Sequence, residues 1–102
     1  MFIKNYVNDI YFDIICGNYS LDYLINLNEN NFKRVYNILK TNDFYYINDI
    51  ILNYLELFEV EYIYVEKALN TIKNILGENY VQIIGKNMPI LDRVINLAIS
   101  YI

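Results

Sequence analysis

Phe58-Glu59-Val60-Glu61-Tyr62-Ile63-Tyr64-Val65-Glu66 decides the fold class of this 102-residue chain. Apolar and acidic residues alternate through most of it, and the apolar ones are β-branched or aromatic. On local grounds that is a strand. Val81-Gln82-Ile83-Ile84 is its candidate partner, and the pair would make an α+β domain with a small hairpin around 58–66 and 80–84. Helical spacing, however, resumes at once on both sides. Before the stretch, Phe44, Ile47, Ile51, Tyr54, Leu55 and Phe58 fall on one side of a helix at about 100° per residue. After it, Val65, Leu69, Ile72 and Leu76 continue at helical spacing, with Gly77 as the stop. The reading adopted is therefore all-α, a compact bundle of about five short helices, with the α+β arrangement as the alternative.

Further out, turn and cap residues divide the chain. Phe2/Ile3, Tyr6/Val7, Ile10/Tyr11 and Ile14/Ile15 form a helical stripe, and Gly17 sits where a left-handed cap would end it. Ser20 can cap a short helix through Leu27. Asn30 or Asn31 can cap a third, in which Phe32, Val35, Tyr36 and Leu39 share a face. Asn42 or Asp43 then opens the longest candidate, running to Phe58. Pro89 suits the first turn of a last helix that turns Leu91, Val94, Ile95, Ala98 and Ile102 inward. With one Pro, three Gly and no low-complexity linker, residues 1–102 read as one domain.

Hydrophobic residues make up 56% of the chain, too many for a disordered segment. At this length some of them must remain at the surface, a first sign of an interface. Sixteen Asn, eighteen Ile and twelve Tyr are the mark of AT-rich codons, which also favour Lys. Only six Lys are present, so the net charge of −4 is a property of the protein and not of its codons. The amino terminus lacks the basic start and apolar run of a signal peptide. No segment approaches the ~18 uninterrupted apolar residues of a membrane span; Val94–Ile102 is broken by Asn96 and Ser100. A cytoplasmic protein with no membrane partner is expected.

The chemistry available is narrow. Without His the usual general base and the commonest metal ligand are missing. Ser20 and Ser100 have no base nearby, and a lone Cys16 makes neither a disulfide nor a zinc site. Following two Ile at the end of an apolar stripe, Cys16 is expected to be a buried, inert thiol. Gly85-Lys86 lacks the remainder of a phosphate loop. Glu59 with Glu61, and Asp9 with Asp13, read as solvated acidic faces, since acid–base work needs two carboxyls in different environments within a cleft. No enzyme, cofactor or metal is expected. Nucleic acid is disfavoured as well, because Lys33, Arg34 and Lys40 are the only basic cluster.

Charge supplies the one positive signal. Asp43, Asp49, Glu56, Glu59, Glu61 and Glu66 lie in a stretch without a single Lys or Arg. On a helix Asp49, Asn53 and Glu56 oppose the apolar face, and Tyr45 and Tyr46 flank it. Exposed tyrosines offer large contact area at low entropic cost. Unpaired carboxylates steer a basic partner and raise association rates by ~10–1000-fold at low salt.

Asp43-Phe44-Tyr45-Tyr46-Ile47-Asn48-Asp49 resembles the Tyr-Tyr pair on an acidic helix of small bacterial toxin-immunity proteins, those of nuclease colicins and of contact-dependent growth inhibition. The likeness is of class, covers seven residues, and does not extend to the Gly- and Ser-rich loops of those proteins. It implies an immunity or antitoxin protein that neutralises a cationic toxin domain, a nuclease in the leading reading, by covering its active site or substrate groove. Tyr45 and Tyr46 would anchor, and Asp49, Asn53, Glu56, Glu59 and Glu61 would face the toxin's Lys and Arg. A self-associating helical module, such as a homodimer, and a phage-encoded inhibitor of a host defence nuclease are the alternatives.

Overall fold

In the computed structural model, which describes residues 1–102, the deciding stretch is neither strand nor one continuous helix. Phe58 and Val60 are buried while Glu59 and Glu61 face solvent, so the alternation holds for four residues. Helical periodicity then takes over, and Val65, Ala68, Leu69 and Ile72 are buried along Tyr62–Leu76.

Asn31 explains why no partner strand is needed. Its Nδ2 donates to the carbonyls of Phe58 and Val60 at 3.0 and 2.7 Å, and its Oδ1 accepts from the Tyr62 amide at 2.9 Å. One amide side chain thus satisfies backbone groups that a neighbouring strand would otherwise pair. It also caps the following helix, for which Glu61 supplies no side-chain bond. Val81–Ile84, the expected partner strand, is helical. The fold is all-α.

Seven α-helices follow one another: α1 (Asp9–Asn18), α2 (Leu21–Ile25), α3 (Glu29–Thr41), α4 (Ile47–Asn53), α5 (Tyr62–Leu76), α6 (Tyr80–Lys86) and α7 (Ile90–Ser100). Short 3-10 turns at Phe2–Asn5 and Leu55–Phe58 complete the chain. Six of them fall on segments whose spacing reads as helical and the seventh, α6, is the apolar segment around 80–84; the two longest expected helices are shortened, each giving up part of its length to a 3-10 turn. The apolar stripe of residues 2–15 breaks at Asn8, whose side chain accepts from the Tyr11 amide and starts α1 afresh. The expected longest helix, from Asn42 or Asp43 to Phe58, shrinks to α4. Asp43 does not open it but closes α3, adopting φ 63°. Phe44 N–H then reaches Leu39 C=O and Asp43 N–H reaches Lys40 C=O, the paired bonds of a Schellman closure. At its other end α4 stops at Tyr54, with φ −137° and ψ 45°.

Caps shift too. Asn28, not Asn30 or Asn31, caps α3 by accepting from the Asn31 amide at 3.0 Å. Ser20 caps α2 as expected, Gly77 ends α5 at φ 89°, and Pro89 precedes the first turn of α7. Gly17 lies inside α1 and ends nothing. Cys16 is exposed, correcting the buried thiol; Ile15 alone is buried on α1, and Cys16 is turned about 100° from it. Ile102 lies beyond α7 and faces solvent.

α5 is the central element, packed most extensively on α7 and then on α3, while α1 rests on α4 and the first 3-10 turn. Twenty-six buried residues form one cluster that contains no polar or charged side chain except the two tyrosine hydroxyls of Tyr46 and Tyr80. Phe32 stacks on Phe58 at 4.5 Å and meets Phe2 and Tyr6 edge-on, tying the amino terminus to the deciding stretch. No helix is long and apolar enough to cross a membrane.

Candidate acidic docking surface

The linker from Tyr19 to Ser20 lets α1 and α2 present two phenols to the second 3-10 turn. Tyr19 and Tyr23 stack with ring centres 5.2 Å apart and planes 16° from parallel. Tyr19 Oη donates to Glu56 Oε1 at 3.1 Å, and Tyr23 Oη donates to Glu59 Oε2 at 2.6 Å. Glu56 and Glu59, three residues apart on a 3-10 turn, project on one side and match the two stacked rings. Burial, and then the Glu56 charge and hydrogen bond, push the Tyr19 phenol up to about 12. The Tyr23 phenol is raised as well, by burial first and then by its bond to Glu59. Each phenol therefore stays a donor, and each carboxylate is held in place with acceptor capacity left over.

Glu59 lies where two shallow depressions adjoin. One, of about 370 Å³, is bounded by Asn28, Asn30, Asn31, Arg34, Glu61 and Tyr62 as well as Glu59. The other, of about 550 Å³, adds Ser20, Asp22, Tyr23 and Asn26. Carboxylates and amides predominate among the lining residues, with Arg34 and the Tyr62 ring in the first and Leu27 and the Tyr23 ring in the second. The stretch from Asp43 to Glu66 is free of cations in sequence but not in space, because Arg34 of α3 shares the first depression. Its guanidinium lies 4.6 Å from the Tyr62 ring centre and makes no ion pair. The one salt bridge of the chain, Lys73 to Glu78, lies elsewhere.

The expected site residues divide into two groups. Glu59 and Glu61 share the first depression, and Glu56, outside both depressions, joins Glu59 through the stacked Tyr19 and Tyr23. Asp49 and Asn53 are exposed on α4, where Asn53 Nδ2 donates to the Asp49 carbonyl at 3.2 Å, and neither lines a depression. Tyr45 is 72% exposed at the start of α4, also outside both depressions. Tyr46 corrects the expectation of two exposed rings. It is only 8% exposed, donates its hydroxyl to the Val81 carbonyl, and packs edge-on against Phe44. Gly85 makes room for it, since a Cβ there would stand 2.8 Å from Tyr46 Cε1.

Tyr19, Asp22, Tyr23, Asn28 and Arg34 join the surface without having been marked by the sequence. The only trace was spacing: two tyrosines one turn apart on either side of a cap, and two glutamates three apart. Nothing local links segments 36 and 37 residues distant. No family model, no curated protein and no solved structure matches the chain.

Proposed function

We propose that this chain is a binding protein of the immunity or antitoxin kind, which neutralises a basic partner, a toxin nuclease in the leading reading, by covering its cationic surface. The observation that carries the proposal is the set of carboxylates at Glu56, Glu59 and Glu61, all exposed and none ion-paired, two of them already oriented by phenol donors. A preset carboxylate loses less freedom on binding than a mobile one. It also presents the bidentate acceptor that a guanidinium fits. Such groups take the place of phosphates on a nucleic-acid-binding face. Asp22 extends the same field, and the amides of Asn26, Asn28 and Asn30 supply polar contacts around it. Tyr45, just before α4, and Asp49 and Asn53 on it are also exposed and within reach of a large partner.

Affinity capture from the native cell lysate tests this, comparing the wild-type chain with the triple variant Glu56→Gln/Glu59→Gln/Glu61→Gln. A basic protein retained by the wild type, released by salt and lost by the variant is the expected result. If the captured protein is a nuclease, added wild-type chain should suppress its activity. Retention of the same proteins by both baits would count against the surface.

A further inference from the structure

α5 and α7 leave a groove of about 360 Å³ between them, lined by Ile72, Ile75, Leu76, Ile90 and Leu97 with a single charged side chain, Arg93. Ile75 stands 71% exposed at its edge. Ile90, Arg93 and Leu97 recur one turn apart and form a second stripe of α7, beside the buried one of Leu91, Val94, Ile95 and Ala98. Arg93 has no carboxylate within ion-pair distance.

α1 has the reciprocal make-up. Ile15 holds its inner side, and the face turned outward carries Ile10 and Ile14 one turn apart, with Ile10 71% exposed. Gly17 prolongs that line, and a Cβ placed there would meet nothing within 4 Å, so another backbone can approach closely. Asp9 and Asp13 border the isoleucines, and the helix contains no Lys or Arg.

We propose that the chain self-associates, with the Ile10/Ile14 ridge of one copy seated in the α5–α7 groove of a second copy and Asp13 opposite Arg93. An apolar ridge read at i and i+4 suits a furrow between two helices. Asp9 and Asp13 meet the one charge of the groove, and Lys4, the nearest cation in sequence, is drawn over the Phe12 ring at 5.1 Å, so the opposite signs also set the register. This contact is independent of the acidic surface around Glu59, since no residue is shared between them.

Sedimentation of the full chain over about 1–200 μM reads this directly, a range that covers the affinities of weak and moderate interfaces. The average mass should rise with concentration. Ile10→Asp and Ile75→Asp, both at sites exposed in the single chain, should each weaken association at least about tenfold while leaving the helical circular dichroism and melting unchanged. Asp13→Arg and Arg93→Asp should each weaken it, and the double variant should regain affinity. A wild-type chain that stays monomeric throughout overturns the proposal and leaves the groove to a different protein. So does a dimer indifferent to Ile10→Asp and Ile75→Asp, or a double charge swap no better than its single parents.

Discussion

Asn31 carries more of the fold than any other polar residue. Both ends of its side-chain amide are engaged, with two donations to the carbonyls of Phe58 and Val60 and one bond accepted from Tyr62. At about 0.5–1.5 kcal/mol for each net hydrogen bond, Asn31→Ala should lower stability by about 2–3 kcal/mol. Asn31→Asp separates the two roles. It keeps an acceptor for the Tyr62 amide, and a negative charge there suits a helix start. It also loses both donors and sets a carboxylate oxygen against two carbonyls. Urea unfolding should therefore show the Asp variant losing about 2 kcal/mol as well. An Asp variant as stable as wild type would mean that Asn31 is only a cap.

The elements differ in how far they could be read ahead. α5 and α7 were legible because their buried residues keep helical spacing between clear stops, Gly77 after one and Pro89 before the other. α2 was legible from Ser20. The segment from Asn42 to Phe58 was not, for two reasons. Asn42 or Asp43 reads locally as an opening cap, while the left-handed backbone of Asp43 closes α3, a role usually given to Gly. The apolar spacing of α4 also runs in phase with the following 3-10 turn, which hides the break at Tyr54. Asp43→Gly tests the first reason. Relief of the left-handed strain, set against the entropy that glycine adds to the unfolded chain, should leave a net stabilisation of ~0.5 kcal/mol. A drop in the denaturant midpoint would contradict the assigned closure. The acidic surface was half legible. Glu56, Glu59 and Glu61 stood out as carboxylates without cations, whereas the phenols that orient them come from distant helices and left no local sign.

At the scale of the whole molecule, stability should respond to alkaline pH through the phenols that folding shields from water. Tyr19, Tyr23 and Tyr46 all ionise less readily in the folded chain, chiefly because they are buried. Their folded values lie above the ordinary 10.0, so the neutral phenols favour the native state fully below pH 10. The share of Tyr19 is lost as the pH rises through about 12, its folded value, while Tyr23 and Tyr46, raised further, lose theirs at still higher pH. Melting temperature should therefore fall steeply across this alkaline window, while tyrosinate absorbance shows a late-titrating set. A melting temperature unchanged up to the end of the window would contradict the buried, hydrogen-bonded phenols.

The same molecule carries two surfaces of different character, an acidic one organised around Glu59 and an apolar groove between α5 and α7. Only the first bears on the proposed capture of a basic partner. The most direct measurement is the affinity of the captured partner as salt rises from about 50 to about 300 mM, over which screening shortens markedly. Affinity should fall with salt, and Glu56→Gln/Glu59→Gln/Glu61→Gln should both weaken binding and flatten that dependence. An affinity indifferent to salt, or a triple variant that binds as tightly as wild type with the same slope, would contradict the account.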